Sequence, residues 1–277
     1  MNIRVLKTDQ RRNILKSKIS APECFVRFSK NEKSAFGIYR EGLISVLDKS
    51  PFCKDLAVIG ETTLSDVKLL APVEPSKIVA IGLNYASHIG ELHPEITGIP
   101  SPKLFIKPST AIIGPDDKII YPDMTHHVDY EAELGVVIGK ITKNITVQEA
   151  KNSVLGYCCL NDVTARDLQK SDGQWTRAKS FDTFCPIGPV IARNIDPFDL
   201  EIKCFVNGKL RQSGNSSLMI KNVYELISFI SKIMTLLPGD IIATGTPKGV
   251  GEIKPGDEVT IKIDKIGELT NYVTDNK

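Results

Sequence analysis

The sequence lacks most of the features that would announce a class. No apolar run approaches the length of a membrane span, and none could serve as a signal-peptide core, so a soluble cytoplasmic location is expected. There are only four histidines, and the six cysteines (Cys24, Cys53, Cys158, Cys159, Cys185 and Cys204) form no C-x-x-C pair. Zinc and a disulfide framework are therefore not expected, and the cysteines read as small buried hydrophobes. The glycine-rich stretch Gly245–Gly251 lacks the G-x-x-x-x-G-K-[ST] pattern and no helix signal follows it, which excludes a phosphate-binding loop. There is no long repeat and no low-complexity tract.

Charge of one sign is also missing: 35 basic residues face 33 acidic ones, a formal net of +2. Even that excess is local. The first twenty residues carry Arg4, Lys7, Arg11, Arg12, Lys16 and Lys18 against Asp9 alone, which leaves 29 basic and 32 acidic residues in the body, a net of −3. A body of that charge gives no reason to expect nucleic acid or membrane as a partner. Residues 1–20 are expected to be a basic N-terminal extension rather than a targeting segment.

What is present is an ordinary globular composition, 42% hydrophobic and 25% charged, in a chain of 277 residues that can bury a sizeable core. Short runs rich in isoleucine and valine predict strands at Phe25–Ser29, Ala35–Tyr39 and Leu43–Leu47, with Gly37 and Gly42 at turns. Further strands are predicted at Lys77–Leu83, Lys103–Lys107, Lys118–Tyr121, Leu134–Ile138, Leu200–Val206, Asp240–Ala243 and Glu258–Ile263. Two helices stand out: Thr146–Leu155, with a capping box (Thr146, Glu149) and Gly156 after it, and Asn222–Leu237, which ends at Pro238-Gly239. Strands without regular helix alternation argue against a doubly wound sheet, so the expected class is α+β, mostly β. The two prolines of Ala71-Pro72-Val73-Glu74-Pro75 mark a boundary between a small N-terminal domain, 21–72, and a main domain, 73–277.

The chemistry is concentrated in acids. In Val128-Asp129-Tyr130-Glu131-Ala132-Glu133-Leu134, an extended chain would turn Glu131 and Glu133 to the same side as the strand enters apolar sequence. Two carboxylates so close repel unless a cation lies between them, and an all-oxygen donor set suits Mg, Mn or Ca. A solvated strand end is the plainer alternative. A second acid, Asp162, follows the apolar Cys158-Cys159-Leu160. If it opened a helical turn, Arg166 and Gln169 would share its face, an edge fit for anions or equally a surface salt bridge. Asp129, in phase with the glutamates, is expected behind the site rather than in it. Adjacent His126 and His127 would point apart on an extended chain, so they are read as loop residues.

These stretches occur in a recognisable order. Gly82-Leu83-Asn84-Tyr85 with His88 and Glu91, then Lys107-Pro108-Ser109, Tyr130-Glu131-Ala132-Glu133-Leu134-Gly135, Asn161–Gln169, Trp175–Thr183 and Thr244–Gly251 resemble the fumarylacetoacetate hydrolase family across residues 70 to 272. The resemblance implies a mixed β-roll catalytic domain after a small N-terminal domain, usually as a homodimer. It implies Mg2+ or Mn2+, with Ca2+ as a further option, held by Glu131, Glu133 and Asp162. It assigns substrate contacts to Arg166, Gln169 and Thr246, anion stabilisation to Lys179, and water activation to a His88–Glu91 dyad on a lid segment. The substrate it implies is a small 2-oxo acid. Hydrolysis of a carbon–carbon bond in an acylpyruvate is the leading expectation. Oxaloacetate decarboxylation, isomerisation of 2-hydroxyhepta-2,4-diene-1,7-dioate, and hydrolysis or dehydration of oxo sugar acids are alternatives, and a non-catalytic binding protein is a remote one.

Overall fold

A computed structural model describes residues 22–92 and 101–276; the basic arm lies outside the described residues. The strands, in chain order, are β1 (Glu23–Lys30), β2 (Lys33–Arg40), β3 (Leu43–Leu47), β4 (Val58–Thr63), β5 (Lys68–Leu70), β6 (Ile78–Gly82), β7 (Lys103–Lys107), β8 (Ile112–Ile113), β9 (Lys118–Tyr121) and β10 (Val128–Tyr130). They continue as β11 (Ala132–Ile138), β12 (Val154–Asn161), β13 (Thr164–Ala165), β14 (Cys185–Arg193), β15 (Glu201–Val206), β16 (Lys209–Asn215), β17 (Ile241–Ala243), β18 (Gly251–Ile253), β19 (Glu258–Ile263) and β20 (Gly267–Asp275). The α-helices are short: α1 (Ala86–Leu92), α2 (Val147–Ala150), α3 (Arg166–Asp172), α4 (Thr176–Lys179) and α5 (Val223–Ile233). The class is α+β and mostly β, as the sequence leads one to expect.

Among the described residues a twelve-stranded sheet runs β4-β3-β2-β1-β14-β12-β11-β17-β6-β7, with β5 beside β1 and β8 beside β14. Its central strands are apolar on both faces because each face has its own core. Along β11, Leu134, Val136 and Ile138 enter one core while Val137 enters the other. Along β12, Tyr157 and Cys159 divide in the same way from Cys158 and Leu160. The larger core is closed by the five-stranded sheet β16-β15-β19-β20-β9, whose Ile202, Cys204, Ile261 and Leu269 pack into it. A third, three-stranded sheet, β13-β10-β18, lies at the entry to β11.

Several local expectations give way to this pairing. The capping box at Thr146 forms, but the helix it starts covers only Val147–Ala150. One 3-10 turn follows, and Val154 then joins β12 opposite Ile138. Pairing to the sheet overrides the weak local preference for more helix. Gly156 is thus no helix cap; it lies within β12, where a Cβ would come 2.6 Å from the Ala192 carbonyl oxygen. The second helix stops at Ile233, because Leu236 exchanges two backbone hydrogen bonds of 2.9 Å with Thr142. Gly37 is inside β2 rather than at a turn, with Ile44 packed where its side chain would be. Asp162 opens no helical turn: it precedes β13, and α3 begins only at Arg166. The strands β4, β5, β8, β13, β14, β16, β18 and β20 were not anticipated.

Candidate active site

The site is built at the point where the chain passes from β10 to β11, that is, from the three-stranded sheet into the twelve-stranded one. Glu131 is the residue between them. Here side-chain amides replace the strand ladder. The Glu131 N–H donates to Asn161 Oδ1 at 3.0 Å, and the Ala132 N–H donates to Gln212 Oε1 at 2.9 Å. Ala132 pairs with Asn161 across β11 and β12, so Asp162 arrives next to the glutamates, its N–H donating to the Glu131 carbonyl at 2.9 Å. Glu131, Glu133 and Asp162 each offer a carboxylate oxygen within 4.8 Å of the others, and all three are buried.

Burying three acids together requires compensation. Lys107 Nζ lies 2.5 Å from Asp162 Oδ1, and Lys179 Nζ donates to Asp162 Oδ2 at 2.6 Å and to Glu131 Oε2 at 2.8 Å. Arg166 bonds Glu131 with one nitrogen and Asp129 with another, the latter at 2.7 Å. Burial alone would push the Glu131 carboxyl up, but the charges of Lys179 and Arg166 overcome it and hold it well below the usual carboxylate range. Glu133 is different. Burial, followed by the charges of Asp162 and Glu131, raises its carboxyl well above the ordinary value. Its fixed donor is the Gly245 N–H at 2.7 Å, and it makes no ion pair among the described residues. Lys107, Arg166 and Lys179 balance Asp129, Glu131 and Asp162, so one buried carboxylate is left over beside two others. That donor set fits a hard divalent cation.

The helix α1 brings His88 against this cluster. Its root is fixed by Asn84, which donates to the carbonyls of Lys221 (3.0 Å) and Thr244 (2.8 Å) and accepts from the Lys221 N–H (2.8 Å). The preceding Leu83 is held at φ 64°, a left-handed conformation that costs a leucine free energy and that such clamping maintains. Burial lowers the pKa of His88, partly opposed by the charge of Glu131. Its Nδ1 is buried, lies 3.5 Å from Glu91 Oε2 and has no closer hydrogen-bond partner. Both Glu91 oxygens accept from the Gly249 N–H at 3.1 Å, which ties the end of α1 to the Thr244–Gly251 loop.

One cleft is lined by His88, Glu131, Glu133, Asp162, Arg166, Gln169, Lys179 and Thr246, together with Ile81, Gly82, Leu83, Phe105 and Trp175. Eight of the nine residues singled out in the sequence therefore meet in one place, and Glu91 stands behind His88. Gln169 accepts from Arg166 Nη1 at 2.5 Å. The Thr246 hydroxyl is used structurally, donating to the Ala132 carbonyl and accepting from Gln212, each at 2.9 Å. His127 Nε2 meets Asp129 Oδ1 at 2.8 Å, and His126 is held by its backbone N–H on Asp167. Sequence reasoning missed three residues at the site. Lys107 carried a signal, a lysine in phase with Phe105 on an apolar strand. Asn161 opens the Asn161–Gln169 stretch, which marked its position but not its role, and Gln212 carried no signal.

Residues 77–274 match the family model described as fumarylacetoacetate (FAA) hydrolase C-terminal, and residues 25–72 match that described as Rv2993c-like, N-terminal. An uncharacterized protein of Methanocaldococcus jannaschii is 55% identical over 77% of this chain and 90% of its own length. A Bos taurus protein named oxaloacetate tautomerase FAHD2B, mitochondrial, is 40% identical over 91% of this chain and 80% of its own. Among solved structures, 5-carboxymethyl-2-hydroxymuconate delta-isomerase from Mycobacterium smegmatis superposes with a TM-score of 0.86 at 42% identity, covering 91% of this chain and all 100% of that one. Maleylpyruvate hydrolase from Sphingobium, in complex with manganese(II) and pyruvate, gives 0.76 at 30% identity over 92% and 100% of the two chains.

Proposed function

The chain belongs to the fumarylacetoacetate hydrolase family, and we propose that it is a divalent-metal-dependent enzyme that hydrolyses a carbon–carbon bond in an acylpyruvate-type 2,4-dioxo acid. The observation that carries this reading is the buried Glu131–Glu133–Asp162 group, with Lys179 bonded to two of its members and His88 facing the same cleft. A Mg2+ or Mn2+ ion held by the three carboxylates would polarise the 2-oxo group and its neighbouring carboxylate.

The protein's own residues supply the rest. Arg166 and Gln169, locked to each other, present a fixed polar edge to the substrate's oxygens. His88, kept neutral by burial, takes a proton from water, and Glu91 behind it favours the imidazolium that results. The activated water adds to the distal carbonyl carbon. The carbon–carbon bond then breaks, with its electron pair passing to the pyruvate half as an enolate, and the distal half leaves as a carboxylic acid. Lys179 has three N–H donors and gives two to Glu131 and Asp162, which leaves one for the enolate oxygen. The proton on His88 returns to the enolate carbon to give pyruvate. The working form is proposed to be a cytoplasmic homodimer, which light scattering would check.

A second reading is keto–enol tautomerisation of oxaloacetate, supported by the Bos taurus relative that bears that name. It needs proton transfer at a carbon but no attacking water. The test is to assay wild type and His88→Ala, with Mn2+, on fumarylpyruvate and oxaloacetate in parallel. Wild type that hydrolyses fumarylpyruvate, with that activity lost in His88→Ala, is the expected result. Wild type that tautomerises oxaloacetate and leaves fumarylpyruvate intact would establish the second reading instead.

A further inference from the structure

His127 and Asp129 stand behind the cleft, and the reaction just described uses neither. Both are placed by the strand ladder. Val128 pairs with Ala165 and Asp129 with Thr164 across β10 and β13, and the Arg166 N–H extends the ladder by donating to the His127 carbonyl at 2.7 Å. Asp167 holds the start of the same loop, accepting from the Thr125 hydroxyl and from the His126 N–H at 3.0 Å. His127 is therefore fixed at its backbone although its side chain is 45% exposed.

From that position a chain of hydrogen bonds runs inward. His127 Nε2 meets Asp129 Oδ1 at 2.8 Å, and a carboxylate only accepts, so the nitrogen carries the proton. The other oxygen of Asp129 accepts from Arg166 Nε at 2.7 Å. Arg166 in turn donates to Gln169 through Nη1 and to Glu131 through Nη2. A guanidinium does not give up a proton in a protein, so this chain carries orientation and no proton.

What His127 adds follows from the two oxygens of Asp129. An unrestrained carboxylate closes on a guanidinium as a fork, taking two N–H groups at once. Here those would be Nε and Nη2, since Nη1 is committed to Gln169, and Nη2 would turn away from Glu131. His127 prevents this by occupying Oδ1. Asp129 keeps one oxygen for Nε, and Nη2 stays with Glu131. Three of the five N–H donors of Arg166 are thus spent in fixed directions. The other two, one on each terminal nitrogen, are what it offers to the cleft that it lines.

We infer that His127 is a positioning residue for substrate binding: by holding Asp129 to a single contact, it sets the plane in which Arg166 meets the substrate's oxygens. The inference rests on the proposed role of Arg166 in binding a 2-oxo acid.

Two substitutions test it. His127→Ala frees Oδ1, whereas His127→Gln returns a side-chain N–H near the position of Nε2. On the full chain with Mg2+, the Nε–H resonance of Arg166 (identified by its absence in Arg166→Lys) should shift in His127→Ala and return towards its wild-type position in His127→Gln. With Mn2+ and fumarylpyruvate, His127→Ala is expected to raise KM about tenfold while kcat falls by no more than about twofold, and His127→Gln to recover most of the loss. An unmoved Arg166 resonance in His127→Ala, a loss confined to kcat, or equal losses in both variants would overturn the assignment. If wild type turns over no fumarylpyruvate, the functional reading fails, and the resonance alone decides the role of His127.

Discussion

Lys107 and Asp162 form an ion pair sealed from solvent, Nζ to Oδ1 at 2.5 Å, with side-chain exposures of 0% and 1%. Lys107 also donates to the Val163 carbonyl at 3.0 Å, so one ammonium fixes both the acid and the backbone that follows it. Removing one partner of a buried pair leaves a charge without compensation. Lys107→Met is expected to destabilise the protein by about 3–5 kcal/mol in chemical denaturation. A loss below about 1 kcal/mol would show that Lys179 alone suffices for Asp162.

Glu133 links metal binding to pH. Its raised pKa means that the metal-free fold retains a proton there which the unfolded chain releases near the ordinary carboxylate value. The stability this contributes is complete below that value and is lost as pH rises through the folded-state pKa. A bound cation replaces the proton and removes the loss. The rise in melting temperature on adding Mn2+ should therefore be larger at pH 8 than at pH 5.5, and Glu133→Gln should flatten the difference. A Mn2+ effect independent of pH in wild type would contradict this.

His88 sets the acid limb of the rate profile. Burial holds its pKa below 6.5, so the neutral base persists to lower pH than for a solvated histidine. The acid limb of kcat/KM is expected below pH 6.5, and His88→Ala should remove it while lowering kcat about 10²- to 10⁴-fold. A limb that survives the substitution belongs to another group.

Gln212 acts on the site without touching the cleft. It is fully buried, accepts from the Ala132 N–H, and donates to the Thr246 hydroxyl and the Pro247 carbonyl at 2.9 and 2.8 Å. Gln212→Leu strands at least two of these groups and should cost about 2–4 kcal/mol. Because Ala132 separates Glu131 from Glu133, Mn2+ affinity measured by calorimetry should fall as well. Unchanged affinity in a folded variant would confine Gln212 to stability.

The carboxylate triad was legible because the spacing of Glu131 and Glu133 on an extended chain is a local fact, and Asp162 ended a recognisable apolar run. The residues that neutralise and aim those acids were less so. Lys107, Asn161 and Gln212 find their partners 55, 30 and 80 residues away, and no local pattern encodes such distances. The fold divides in the same way. Strands such as Leu43–Leu47 and Glu258–Ile263 were readable from composition, while their order in the sheets was not. The helix after Thr146 began where its capping box said and ended early because Ile138 claimed Val154.

The N-terminal strands do not stand apart from the site. β1 pairs with β14, Glu23 opposite Arg193 and Phe25 opposite Ile191, and β14 pairs in turn with β12, which ends next to Asp162. The piece that matches one family model and the piece that matches the other are thus stitched by a backbone ladder rather than tethered by a linker. Inheritance can assort them as two modules, but heat should melt them as one. A chain shortened to begin at residue 77 would bare the flank of β14, and naked flanks of that kind recruit strands from neighbouring molecules.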